Sequence, residues 1–312
     1  MKLRTNFHIY AVITIIFWSS AFVFTRLALR YFSPLSLGFL RYFIASLSLL
    51  VFIFAVKIKI PNKNDIKWFI LAGFFGFFFY IITFNLGSST VPASTCSLMI
   101  ATAPVITTLL ARIINKEKLT IIKYIAIIIE FIGVGVLTLM NGIFFINIGF
   151  VWLILASISL SIYNILQRKL TKKYSAIQTS VFSIWFGTIM LFIFLPNSFT
   201  EIKNAPSMQI IYLIILGVFP SAIAYITWSY AFSKSKYTSS VTNYMFITPF
   251  LTTLLGVILA KETPDLATIF GGIIIMIGML IYNFFDRPRK NIADSHNVMC
   301  NSIENYYKTL DK

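Results

Sequence analysis

Pro104-Val-Ile-Thr-Thr-Leu-Leu-Ala-Arg-Ile-Ile-Asn-Lys-Glu117 recurs as Pro249-Phe-Leu-Thr-Thr-Leu-Leu-Gly-Val-Ile-Leu-Ala-Lys-Glu262. The stretches align without a gap at an offset of 145 residues, and Pro, Thr, Thr, Leu, Leu, Ile, Lys and Glu coincide, eight of fourteen positions. The same offset carries Tyr80 onto Tyr225 and Ile132-Gly133 onto Ile277-Gly278. Matches of Ile and Leu are cheap in apolar sequence, but a shared Pro, Lys and Glu at fixed spacing are not. Self-similarity at a constant offset marks an internal repeat.

The surrounding composition tells what kind of repeat this is. Of 312 residues, 58% are hydrophobic and 12% charged, against roughly 45–50% and 25% in soluble domains. That excludes a soluble globular protein. Apolar runs about as long as a hydrocarbon core is thick lie near 9–29, 36–56, 66–86, 92–114 and 121–140, then near 147–167, 177–195, 209–231, 238–260 and 266–285. No A-x-A-like site follows the first run, which therefore reads as a span and not as a removable signal. The expected fold class is all-α integral membrane, with ten transmembrane helices in two five-helix repeats, residues 8–140 and 147–285. Five is odd, so the second repeat enters the membrane from the opposite side. Inverted repeats of this kind are a recurrent basis of secondary transport, because two related halves can exchange conformations around a shared site. A structural membrane protein that arose by duplication would carry the same repeat.

The net charge of +16 would suggest nucleic acid as a partner in a soluble protein. Here its distribution points elsewhere. With the N-terminus inside, the inside segments hold 21 Lys and Arg and the outside segments hold four, Arg26, Arg30, Lys203 and Lys261, while Arg41 falls within the second run. Positive residues are retained on the cytoplasmic face, so both termini are expected there, in a multi-pass protein of the cell membrane whose basic residues meet anionic lipid and not nucleic acid. Residues 286–312 turn polar and read as a disordered cytoplasmic tail. Cys96, in the fourth run, and Cys300, in that tail, are too far apart to pair, and no metal or cofactor site is indicated.

Phe17-Trp18-Ser19-Ser20-Ala21-Phe22, then Ser33-Pro34 and Arg41, resemble the opening of the EamA family within the drug/metabolite transporter superfamily. So do the paired ends, Pro104 leading to Lys116-Glu117 and Pro249 leading to Lys261-Glu262-Thr263-Pro264. The resemblance covers about residues 8–285. It implies a ten-helix carrier for small metabolites, often amino acids or drugs and frequently outward, with a central cavity lined mainly by runs 1, 3, 4, 6, 8 and 9. The second half departs from the pattern, with Tyr163-Asn164 in the place of Trp18-Ser19 and Ser183 or its neighbours in that of Arg41.

Ionisable residues within spans cost roughly 2.5–3.5 kcal/mol each at a helix centre, which makes each a functional candidate. Arg41 has two readings. A guanidinium there could hold a substrate carboxylate or phosphate bidentately, or it could be a structural anchor that snorkels to the outer headgroups or pairs with carbonyls at a helix end. Its position only about five residues into the second run favours the anchor. Glu130, amid Ile and Phe in the fifth run, is either a mid-membrane group for a coupling proton or a protonated packing contact. Trp18 and Ser19 lie near the centre of the first run, where an aromatic ring and hydroxyls suit a small amphipathic solute. Tyr80, Asn85, Thr95, Met99, Tyr163, Asn164, Tyr225, Trp228, Asn243 and Tyr244 are the other candidates on the implicated runs, each of which could equally serve as an interhelical contact. Trp68 and Trp152, near run ends, fit the aromatic belt. Pro104 and Pro249, near the middle of the fourth and ninth runs, and Pro220 in the eighth, are expected to bend their helices, the first two symmetrically.

A membrane-embedded enzyme acting on lipid is the rival class. It needs a clustered acid and base, whereas His8 and His296 lie at opposite ends of the chain. No G-x-x-x-x-G-K-[ST] motif for ATP occurs in the sequence. The reading is a secondary transporter, monomeric or homodimeric, that exports an amino acid or drug-like amphipathic solute.

Overall fold

In lipid every backbone N–H and C=O needs an internal partner, so apolar runs of this length can only be helices. The structure, a computed structural model, describes residues 7–56, 58–115, 120–139, 148–235 and 237–284, and no strand occurs among them. Lys116 and Glu117 of the repeated pair, the joint at 140–147, and the tail at 286–312 with His296 and Cys300 lie outside the described residues. Helix α1 spans Phe7–Ala28, α2 Pro34–Val56, α3 Lys63–Thr90, α4 Ala93–Ile114 and α5 Ile121–Leu139. Then follow α6 Ile148–Leu170, α7 Ala176–Lys203, α8 Ser207–Lys234, α9 Thr238–Ala260 and α10 Leu266–Phe284. Seven of these, α1, α3, α4, α6, α7, α8 and α9, are long and apolar enough to cross a membrane, and shorter apolar segments occupy Pro34–Leu50 of α2 and Leu266–Gly278 of α10. The chain is a multi-pass membrane protein.

Helix ends carry local signals. Ser175 and Gln178 form a reciprocal capping box at the start of α7. The Glu201 carboxylate accepts hydrogen bonds from the Ser33 amide and from the Ser33 and Ser36 hydroxyls at the start of α2. Asp265 accepts from the Thr268 amide at 2.7 Å to cap α10. One expectation is corrected here. The seventh run, expected to end near 195, continues as helix to Lys203, because Pro196 falls in the first turn of its last segment, Leu195–Lys203, where a missing N–H is harmless.

Several helices depart from regular winding, some at matching places, while a π-helical turn at Gly256–Ala260 ends α9 where the corresponding stretch of α4 is regular α-helix. A π-helical turn occupies Phe74–Phe78 in α3 and another Phe219–Ile223 in α8, 145 residues apart. In each the amide after the turn, Phe79 or Ala224, donates to the carbonyl five residues back, Phe74 or Phe219. Helix α4 breaks at Ala101–Thr102 before the segment Ala103–Asn115, and α9 tightens into a 3-10 turn at Asn243–Ile247 before Thr248–Leu255. Pro104 and Pro249 are therefore not mid-helix kinks. Each sits in the first turn of the segment that follows an interruption, where proline is tolerated. The broken α4 leaves carbonyls to satisfy, and Ser157 and Ser161, one turn apart on α6, donate to the Met99 and Ala103 oxygens, each at 2.9 Å.

The halves of the chain interleave. Helix α1 packs on α8 and α9, α2 on α7 and α8, α3 on α6 and α7, and α4 on α6. The core between them is aromatic, with Tyr42, Phe77, Tyr163, Tyr225 and Trp228 all nearly inaccessible. Helices α5 and α10 pack chiefly on each other. Their contact is reciprocal. A Cβ on Gly278 would lie 2.6 Å from Glu130 Cγ and 3.0 Å from the Ala126 oxygen, and one on Gly133 would lie 2.7 Å from Ile275 Cγ1 and 3.0 Å from the Gly271 oxygen. Only glycine permits so close an approach.

Candidate functional site

A narrow cavity of about 20 Å³ lies where α1, α3 and α4 meet α6, α8 and α9, room for about one water and well short of a bound solute as the side chains stand. Trp18, Ala21 and Phe22 of α1 form one wall, Tyr80 and Phe84 of α3 another, and Tyr225, Met245 and Thr248 of α8 and α9 a third. The broken part of α4 contributes Ser97, Ile100 and Ala101. Two pairs in the lining are related by the 145-residue offset, Tyr80 with Tyr225 and Ile100 with Met245.

The aromatic wall is fixed by packing and hydrogen bonds. The Trp18 ring lies 5.2 Å from Tyr225 and 4.9 Å from Trp228, centroid to centroid, and its indole N–H donates to the Pro220 carbonyl oxygen at 3.2 Å in the π-helical turn of α8. Tyr80 stacks on Phe84 at 5.6 Å. Behind Tyr225 stand Phe77 and Tyr163, at 4.7 and 5.8 Å, and the Tyr42 hydroxyl donates to that of Tyr225 at 3.4 Å. Buried aromatic rings held in this way are rigid surfaces for an apolar ligand.

Arg41 corrects the sequence reading. Its side chain does not snorkel to headgroups. It is 4% exposed, faces the cavity, and donates from Nε to the Ser221 hydroxyl at 2.5 Å. Helix α2 packs its flank against α8, so the guanidinium is drawn inward to the hydroxyl beside Pro220. Membrane depth estimated along one helix cannot reveal this.

The other candidates divide. Trp18, Tyr80, Arg41 and Tyr225 line the cavity. Trp228, Tyr163 and Asn164 stand behind the wall, where the Trp228 indole donates to Asn164 Oδ1 at 3.1 Å and the Asn164 amide to the Thr107 hydroxyl at 3.4 Å. Ser19 and Met99 are buried beside it, the Ser19 hydroxyl donating to the Ile15 oxygen at 2.7 Å. Asn85 donates to the Pro34 oxygen at 2.8 Å, and Thr95 meets Thr268 at 2.7 Å, both away from the cavity. Asn243 and Tyr244 line a separate lateral pocket with Phe250 and Met276. Glu130 lies in the α5–α10 contact, 2% exposed, with no hydrogen-bond partner for either carboxyl oxygen. The sequence reading missed Ser97, Ser221, Met245 and Thr248. For Met245 the signal was present, since the repeat offset pairs it with Ile100.

Comparison with known proteins agrees with this architecture. The model of the EamA-like transporter family matches twice, over residues 6–139 and 147–284. An uncharacterised transporter, YdfC, of Bacillus subtilis (strain 168) is 33% identical over 84% of this chain and 86% of its own. A probable terminal-alkyne amino-acid exporter of Streptantibioticus cattleyicolor is 28% identical over 87% and 91%, and an S-adenosylmethionine uptake transporter of Rickettsia prowazekii 24% over 83% and 85%. A solved structure superimposes with a TM-score of 0.65 at 17% identity, covering 91% of this chain and 98% of that one, which speaks for the fold alone. With both halves of the sequence matched and an aromatic cavity where they meet, the chain belongs to the EamA-like transporter family.

Proposed function

We propose that this protein is a secondary carrier that exports an amino acid or a comparably small amphipathic solute from the cell by alternating access at the central cavity. All ten helices cross the membrane in this reading, as inverted repeats at 8–140 and 147–285, with both termini and the 286–312 tail in the cytoplasm. The observation that carries it is the composition of the lining, in which Tyr80 and Tyr225, one from each half at the repeat offset, face the same space. A site shared by two related halves is what rocking of one half against the other can expose to either side. The matched π-helical turns and the reciprocal glycine contacts of α5 and α10 support the same symmetry. The 21-to-4 distribution of Lys and Arg supports the orientation. Trp18, Arg41, Tyr80 and Tyr225 form the binding surface, and Trp228, Tyr163, Asn164, Ser19 and Met99 brace it. Glu130, which faces α10 and not the cavity, serves packing. With no base beside that carboxyl, an enzyme acting on lipid is disfavoured.

Two measurements test the proposal. Tags placed after Lys116 and after Lys261 should be reached from opposite faces of the membrane, and access from one face overturns the inverted arrangement. A deletion and overexpression pair should differ in resistance to a panel of amino acids, analogues and dyes, with counterflow of the responsive solute into proteoliposomes. No change across the panel and no counterflow overturn the carrier.

A further inference from the structure

Among the described residues, Arg41 is a buried cation without an anion. Five acidic residues lie among the described residues, and none is its partner. Asp65 pairs with Lys173, Glu262 with Arg26, Glu201 accepts from Ser33 and Ser36, Asp265 caps α10, and Glu130 sits between α5 and α10. Among the described residues, the guanidinium has a hydrogen bond to a neutral hydroxyl, Ser221 at 2.5 Å, and lies over the face of Tyr42, 5.6 Å from guanidinium carbon to ring centroid. Neither neutralises a charge. Leaving an ion unpaired away from water costs several kcal/mol, and proteins retain such groups where a ligand completes them.

A second observation lies in the same space. Thr248, 5% exposed and on the cavity wall, has a hydroxyl with no hydrogen-bond partner. No carboxylate is among the described residues that line the cavity, so none of them offers an ion pair to an ammonium group. The aromatic part of the wall is Trp18, Phe22, Tyr80, Phe84 and Tyr225.

We infer that the transported solute is an organic anion, a carboxylate carried on an aromatic or aliphatic body, whose oxygens are received by the free nitrogens of Arg41 while the body lies among the aromatic rings. Guanidinium and carboxylate match as two parallel hydrogen bonds, which fixes orientation as well as charge. An amino acid meets this requirement through its carboxylate alone. A cationic amphiphile does not, because its charge would face that of Arg41 with no carboxylate among the described lining residues to offset it. This inference rests on the central cavity being the transport site.

Three probes of one shape separate the possibilities: 3-phenylpropanoate, 3-phenylpropanamide and 3-phenylpropylamine, titrated against the full-length wild-type protein in nanodiscs with the fluorescence of Trp18 and its neighbours as readout. The acid should bind, with the amide roughly tenfold or more weaker, a difference of about 1.4 kcal/mol, and the amine weaker still. Arg41→Lys should keep the order of the probes at reduced affinity, and Arg41→Gln should erase it. Because the comparison among probes uses the wild-type chain, it stands even if the Arg41 variants fail to fold. Amide or amine binding as tightly as the acid overturns the inference, and so does binding by none of the three. The carrier proposal fails by a different result, the absence of counterflow of any solute, so the two failures are distinguishable.

Discussion

Arg26 and Glu262, 236 residues apart in the chain, form an ion pair with Nε and Oε1 3.0 Å apart. The Arg26 Nη1 also donates to the Ser88 and Ser89 carbonyls at 3.0 and 2.8 Å, and Glu262 accepts from the Ala93 amide at 3.0 Å. The pair therefore ties the ends of α1, α3 and α9 and the start of α4 together at one end of the bundle. Glu262 reaches this position because Lys261 adopts the left-handed conformation, with φ of 55°.

Loss of that tie should loosen one closure of the cavity while leaving the fold intact, since partly exposed pairs contribute about 1 kcal/mol or less. Arg26→Gln and Glu262→Gln are each expected to raise labelling of an Ala21→Cys probe in the cavity wall by a membrane-impermeant thiol reagent applied from that face. The Arg26→Glu, Glu262→Arg exchange should lower it again. Labelling that stays constant in all three removes the latch.

The α5–α10 contact leaves no room for a methyl group. Gly278→Ala would bring a carbon to 2.6 Å from Glu130 Cγ, and overpacking of this kind costs about 1–3 kcal/mol. A lower unfolding temperature in detergent is expected for Gly278→Ala and for Gly133→Ala. A control at Gly135, which has open space around it, should change little.

Glu130 presses against Gly278 with both carboxyl oxygens unpartnered. Glu130→Gln keeps the shape and cannot ionise. Transport should retain its rate and its pH profile in this variant, with stability equal or higher. A flattened pH profile would instead give Glu130 the coupling role that its distance from the cavity speaks against.

Trp18 contributes a hydrogen bond and a surface, and two substitutions separate them. Trp18→Phe loses the donor to the Pro220 oxygen and is expected to cost about 1 kcal/mol of stability while transport persists. Trp18→Ala removes the wall shared with Tyr225 and Trp228, which should cost about 3–5 kcal/mol and abolish uptake into proteoliposomes. Equal effects of the two changes on transport would show that the ring is not part of the binding surface.

Composition and repeat were legible because both are written along the chain. Apolar length placed the helices, and the offset that aligned Pro104 with Pro249 also located Tyr80 and Tyr225, which meet in the cavity. Arg41 was misjudged because its surroundings are supplied by α8, through Ser221, 180 residues away. Asn243 and Tyr244 were plausible as polar and aromatic residues on an implicated helix, but the tight turn at Asn243–Ile247 carries them to a lateral pocket. Periodicity describes a regular helix, and the site is built where the helices stop being regular.

A π-helical turn holds one residue more than its α-helical counterpart, and one residue is about 100° of rotation. Everything beyond Phe78 in α3 and beyond Ile223 in α8 is thus aimed by a count of residues as well as by contacts. Excising a single residue from either turn would swing Tyr80, or Tyr225 with Trp228, to a different azimuth although every side chain was preserved. The chain's tolerance for shortening should be lower at these two places than in the regular α-helical segments around them.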